Sequence, residues 1–249
     1  MRNYNKELDL LFDEWRNESS RNGLNNFCSD GLMHKGKIFQ TDKGFWGREE
    51  GDENEQWSKA SKRILFLTKD TNSNPDEDMR TWIGRQHPSI ITSHFFKNIS
   101  LWLYGLNSFQ NDGSYAPFEK AIDPVVFSTA FDNLPIAIVN IKKESGGGKI
   151  PNSELWAYAS IYHSFLKRQI EILDPTIIVC GGGSSSILNI VKKYIYPELE
   201  FLKTNNWIYS TRERKIVLID SYHPTSRVSY KEIYEEMMSS YKMFLLSNQ

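Results

Sequence analysis

At 249 residues the chain can form one large α/β domain, burying roughly three quarters of its unfolded surface, and its 31 acidic residues nearly cancel its 30 basic ones. That balance excludes a global pull toward nucleic acid or membrane, so any anionic partner must be held by a local patch. The two cysteines, Cys28 and Cys180, lie far apart and outside any CxxC spacing, which argues against a disulfide framework, a zinc site or an iron–sulfur cluster.

Residues 1–8 contain no apolar leader core, and no stretch approaches the ~20 apolar residues that cross a bilayer. The expectation is a cytoplasmic protein with no membrane partner. Residues 5–16 place Leu8, Leu11, Phe12 and Trp15 at helical spacing and predict an amphipathic helix. Residues 21–58 turn to Gly, Asn, Asp, Lys and Glu with Phe27, Phe39, Phe45, Trp46 and Trp57 scattered among them. They read as an irregular extension pinned by its rings, so that 1–58 forms an N-terminal segment packed on an α/β domain spanning 59–249.

Residues 63–68 read as a first strand, and 70–88 as a long polar loop with at most a short helix, a length that usually carries function or disorder. Residues 94–106 and 118–131 read as helices, with an Asn-Asp-Gly turn at 111–113 between them. A second strand at 135–141 leads to Ser145-Gly146-Gly147-Gly148-Lys149. A long helix at 152–173 ends at Asp174-Pro175, a third strand covers 176–180, a triple glycine turns the chain, and 184–194 reads as helix. A fourth strand at 215–220 and a closing helix at 230–246 complete the pattern. Strands that are continuous apolar runs, alternating with helices, predict a parallel sheet covered on both faces.

Ligands in such sheets sit at the carboxyl ends of the strands. There the first strand delivers Asp70, the second Asn140 and the fourth Ser221-Tyr222-His223-Pro224-Thr225-Ser226-Arg227. Asp70 can hold or deprotonate a water, or simply cap a turn. The Asn140 amide can pair with both a carbonyl and an N–H of a flat heterocycle, or satisfy local backbone. His223 can donate to an oxyanion on a leaving group, or be structural. Ser226 and Arg227, with Lys142, Lys143 and Lys149, suit phosphates or form a solvated rim. Phe95 and Phe96 are stacking rings or part of an apolar helix face. A phosphate loop at 146–149 is rejected, because Ile150 follows Lys149 and Lys143 stands where the first glycine belongs. The triple glycine before Ser184 can hold an anion on bare amides, or be a tight turn with Ser184 as N-cap.

In this order the segments resemble the uracil-DNA glycosylase superfamily over about residues 60–247. Leu65-Phe66-Leu67-Thr68-Lys69-Asp70-Thr71-Asn72 is similar to its first motif, a strand followed by a water-activating residue. Pro88-Ser89-Ile90 with Phe96-Lys97-Asn98-Ile99 is similar to the segment supplying an aromatic pocket wall, and Val139-Asn140-Ile141-Lys142-Lys143 to the strand that reads the base edge. Residues 168–181 resemble the helix and strand before the family's glycine turn, and Tyr222-His223-Pro224-Thr225-Ser226 its second motif.

The resemblance implies a three-layer α/β/α fold with a four-stranded parallel sheet, and a monomer whose partner is DNA or a nucleotide. It implies hydrolysis of an N-glycosidic bond, without metal or cofactor, on a base flipped from the stack. Asp70 would position the water and His223 would stabilise the departing base; Asn140, Asn72 and Phe95 or Phe96 would hold that base. Lys69, Lys142, Lys143, Ser226 and Arg227 would follow the DNA backbone. The family's first motif usually begins with Gly and often has Pro after the acidic position, whereas this chain has Thr68-Lys69-Asp70-Thr71. A lysine beside Asp70 predicts a lowered carboxyl pKa, and the altered motif keeps open an inactive binding module of the same fold.

Overall fold

A computed structural model describes residues 2–41, 44–71, 77–87, 89–146, 149–213 and 215–247. Helix α1 (Tyr4–Arg21) opens on Asn3, whose side chain accepts from the Lys6 amide at 2.9 Å, satisfying one of the free amides of the first turn. Its apolar stripe is buried, and the Trp15 ring stacks on Phe165 with centroids 5.3 Å apart. The next segment is more ordered than its composition suggests. It holds strand β1 (Gly31–Leu32), the hairpin β2 (Ile38–Gln40) and β3 (Trp46–Arg48), and helix α2 (Glu53–Lys59). Trp57 is fully buried and donates its indole N–H to the Leu173 carbonyl at 2.7 Å.

After β4 (Ile64–Thr68) the expected loop contains a 3₁₀ turn (Met79–Thr81) and a small hairpin, β5 (Arg85–His87) with β6 (Ile90–Ile91). Helix α3 (His94–Ser108) follows. The single helix expected over 118–131 is two, α4 (Phe118–Ala121) and α5 (Pro124–Asn133), because Asp123 caps a new start with Pro124 in its first turn. Strand β7 (Ala137–Asn140), helix α6 (Asn152–Leu173) and strand β8 (Ile177–Gly181) come next. Helix α7 (Ser186–Ile190) widens into a π turn (Val191–Ile195) instead of continuing as α-helix. Strands β9 (Leu202–Lys203), β10 (Ile208–Ser210) and β11 (Val217–Ser221) precede the closing helix α8 (Tyr230–Leu246).

The main sheet has seven strands in the order β1-β7-β4-β8-β11-β10-β9, not the four expected. Its centre is parallel: β7, β4, β8 and β11 pair in one direction. Their spatial order is second, first, third, fourth in the chain. β1 joins one side antiparallel to β7, while β10 and β9 extend the other side antiparallel. Each central strand is buried along its length except at Asp220 of β11, and successive side chains alternate between two cores. Leu65, Leu67, Val139, Ile178 and Leu218 pack with α1, α6 and α7, whereas Phe66, Ile138, Val179 and Ile219 pack with α3, α5 and α8. The result is three layers. Among the described residues no helix is long and apolar enough to cross a membrane.

The residue just before β1 locks that strand to the centre. Asp30, 1 % exposed, accepts from the Asn140 amide N–H at 2.8 Å, from the Gln169 side chain at 2.8 Å and from Lys143 Nζ at 2.5 Å. Lys143 is itself fully buried, with Nζ 5.2 Å from the Trp15 ring centroid. Burial lowers its pKa and Asp30 opposes that shift. Lys143 is therefore a structural cation and no part of a phosphate-facing rim.

Removing one partner of a buried pair strands the other charge, which costs about 3–5 kcal/mol. Asp30→Ala is expected to lose that much in urea unfolding, and Asp30→Leu combined with Lys143→Met to recover a large part of it. A loss below about 1 kcal/mol for Asp30→Ala would refute the locking role.

Candidate functional site

Register brings four residues into one row across the carboxyl edge: Asn140 beside Thr68, and Gly181 beside Ser221, with Leu67 opposite Cys180 joining the pairs. The Thr68 hydroxyl donates to Asn140 Oδ1 at 2.7 Å. Beyond the row, the two segments stay side by side, since Ile141 and Lys142 donate amides to the Thr68 and Lys69 carbonyls, both at 2.9 Å. Gly146 likewise donates to the Thr71 carbonyl.

This pairing seats Asp70 against Gly146, where a Cβ would stand 2.7 Å from the carboxylate oxygen Oδ2. A side chain at 146 would displace that carboxylate from its present position. The carboxyl pKa of Asp70 is raised, against the expectation, because burial outweighs the positive charges of Lys142 and Lys69, and Glu154 adds to the rise. A raised pKa makes the carboxylate a better proton acceptor. The lysines have partners of their own: Lys142 pairs with Glu154 at 3.1 Å, and Lys69 donates to Asn152 Oδ1 at 3.1 Å.

His223 follows β11 on a tight turn in which the Ser226 amide donates to the His223 carbonyl at 2.8 Å. The Thr225 amide donates to Nδ1 at 3.1 Å, with the Thr225 hydroxyl 2.8 Å away. A backbone N–H can only donate, so Nδ1 accepts and the ring proton resides on Nε2. Burial, then the nearby Lys69 charge, lowers the imidazole pKa to about 4. The ring is thus neutral at physiological pH, with one N–H to offer. Half-buried Phe95 stands beside it, ring centroids 6.3 Å apart.

The turn is fastened from two sides. Pro224 lies over the sheet edge, so that a Cβ on Gly181 would come within 3.2 Å of its Cδ and 3.5 Å of Thr68. From α3, fully buried Asn98 donates to the Pro224 carbonyl at 2.6 Å. His94 Nε2 lies 3.1 Å from the Ser226 carbonyl, and its Nδ1 is 2.7 Å from the Tyr230 hydroxyl. The Asn98 amide nitrogen also lies 3.3 Å from Nε2, so the His94 ring is held between α3, the turn and Tyr230. Asn98, His94 and Tyr230 were not singled out from sequence; the available signal was Asn98, an amide amid the apolar face of Phe95, Ile99 and Trp102.

Asp70 and His223 therefore share one edge, both under the field of Lys69. Asn140 sits beneath it, 1 % exposed, its Oδ1 taken by Thr68 and its Nδ2 lying 3.3 Å from both Asp30 and Met79 Sδ. It presents no free amide edge to a base. Phe96 is likewise a core ring, set edge-on to Phe131 at 5.5 Å. It is seated on Gly84 (φ +61°), where a Cβ would come within 2.4 Å of the ring. Asn72 lies outside the described residues. Arg227 is exposed and Ser226 half-buried, its hydroxyl accepting from the Val228 amide at 3.4 Å.

A cleft of about 210 Å³ opens on the same edge, between residues 183–185 of the glycine turn and Trp207, Asp220 and Tyr222. The Ser185 hydroxyl donates to the Asp220 carboxylate there. An anion at this turn would meet that carboxylate, which disfavours the phosphate reading of the glycines. A larger cleft, about 730 Å³, lies at the opposite edge between Lys62, Asp174, Tyr241 and Phe244. Among the described residues no group of three His, Cys, Asp or Glu is arranged to hold a metal ion. Compared with known protein families and with curated protein sequences, the chain matches none.

The ordinary histidine pKa is near 6.5, and the folded value of about 4 lies below it. Stability due to neutral His223 is therefore complete above about pH 6.5. It is lost as pH falls toward the folded value. Long-range ¹H–¹⁵N NMR is expected to show a protonated Nε2 and bare Nδ1 from pH 8 down to about 5. A midpoint near 6.5, or the opposite tautomer, would refute the assignment.

Proposed function

We propose that this chain is a uracil-DNA glycosylase-like protein that hydrolyses the N-glycosidic bond of a uracil-type or damaged base in DNA. The observation that carries the reading is the neutral His223, its Nε2–H fixed by the Thr225 amide, on the edge that also holds Asp70. The second-first-third-fourth order of the parallel strands supports it, because that order sets the strand bearing Asp70 between those bearing Asn140 and the glycine turn.

The target base is flipped out, since its glycosidic bond is unreachable in the stack. As the C1′–N bond breaks, its electron pair leaves with the base and charge gathers on a carbonyl oxygen. The Nε2–H of His223 donates to that oxygen, a stabilisation that is strong when the donor is preoriented and shielded from water. Water attacks C1′ with its oxygen, and its proton passes to the Asp70 carboxylate and then to the departed base. Phe95 provides a ring against the base, while Arg227 and Ser226 lie where a backbone phosphate can be met. Asn140 acts through Thr68 as a positioning residue.

A second reading, binding without excision, is favoured by the occupied amide of Asn140. One assay separates the two: oligonucleotides carrying uracil, hypoxanthine or a mismatch are incubated with the protein and treated with alkali to cleave abasic sites. Excision is expected, with Asp70→Asn and His223→Ala each slower by about 100-fold or more. Binding without strand scission on every substrate, by a folded protein, selects the second reading. A second measurement bears on both: Arg227→Ala is expected to weaken DNA binding and to reduce the salt slope by about one.

A further inference from the structure

Helix α6 begins at the carboxyl edge, where Asn152 receives Lys69, and Trp156 lies one turn along it, about 6 Å away. The π turn after α7 meets it there. Trp156 and Tyr194 pack edge to face with centroids 5.7 Å apart, and His163 lies 6.0 Å from Tyr194. Exposed Lys193 places Nζ 5.4 Å from the Trp156 ring and 5.1 Å from Tyr194, while Lys192 stands 3.9 Å over Tyr209.

Trp156, Tyr194 and Tyr209 are each half-buried, packed on the inner core with part of the ring left at the surface. Among the described residues Lys193 takes part in no carboxylate ion pair, while Lys192 lies in the field of Asp220; Glu154 and Glu198 are held by Lys142 and Lys167. π turns inside helices frequently mark functional sites. Rings flanked by cations suit bases that are already unstacked, with the phosphates between them, and every base has a face to stack. A duplex hides those faces.

We propose that the surface formed by Trp156, Tyr194, Lys193, Lys192 and Tyr209 binds single-stranded DNA by base stacking and phosphate contact. It extends the nucleic-acid reading of the His223 edge, giving the strand that flanks the reacting base a path down α6.

The test is fluorescence anisotropy with a labelled 15-nucleotide oligo-dT and a 15-base-pair duplex, at low salt and across a salt series. Wild type is expected to prefer the single strand, with affinity falling linearly in log salt. Trp156→Ala with Tyr194→Ala is expected to weaken oligo-dT binding about tenfold or more, while Trp156→Phe, which keeps a ring, stays within about twofold of wild type. Lys193→Glu, on an exposed side chain, is expected to weaken binding and flatten the salt slope; it decides the matter if the double variant fails to fold. No oligo-dT binding at low salt, equal affinity for the duplex, or loss of neither rings nor Lys193 having any effect overturns the proposal. Binding is scored without base release, so absence of excision leaves this result standing.

Discussion

A carboxylate in a protein interior survives only if hydrogen bonds and a cation replace its water, and the Asp30 carboxylate has both. Its neighbours come from two separated parts of the chain: the Asn140 amide at the end of β7 with Lys143 just beyond it, and Gln169 near the end of α6. Holding Asn140 by its backbone and side chain fixes the amide so that its oxygen meets the Thr68 hydroxyl. That in turn aligns the two segments leading to Asp70. The acid at the candidate site is thus placed by a second acid buried behind it.

The two groups at the edge are adjusted in opposite senses by the same surroundings. Burial opposes charge on both, raising the Asp70 carboxyl and lowering the His223 imidazole, and Lys69 works against the first shift and with the second. Burial, with Lys69 adding to it, therefore keeps the histidine neutral while the nearby carboxylate stays able to accept a proton. His223 owes its direction to backbone: Pro224 rests on Gly181, and Asn98 grips the Pro224 carbonyl.

What could be read from the chain alone follows from the range of the forces involved. The long helices α6 and α8 have the bounds their periodicity indicated, and the four apolar runs became the parallel centre. Strands β1 and β9, two residues each, are too short to show a period and exist only because a neighbour offers hydrogen bonds. Adjacent rings such as Phe95 and Phe96 differ only in facing, which α3 decides by packing Phe96 on Gly84 and Phe131. Lys143 carries no local mark of burial, because its partner Asp30 is distant in sequence and sits in a stretch whose composition reads as surface. The Asn98 clamp is invisible for the same reason, its acceptor belonging to a turn on the far side of the sheet sequence.

The placement of β1 also bears on how the chain behaves in company. An uncovered strand edge offers unpaired amides and carbonyls to other chains, and β7 would be such an edge without Gly31 and Leu32 beside it. The N-terminal segment thus does for self-association what the pairing of β4 does for the site. A chain begun at residue 59 would expose the backbone of an apolar strand, Ala137–Asn140, and lose the counter-ion of a buried lysine at the same point. The extension is in this sense the guard of one border of the sheet.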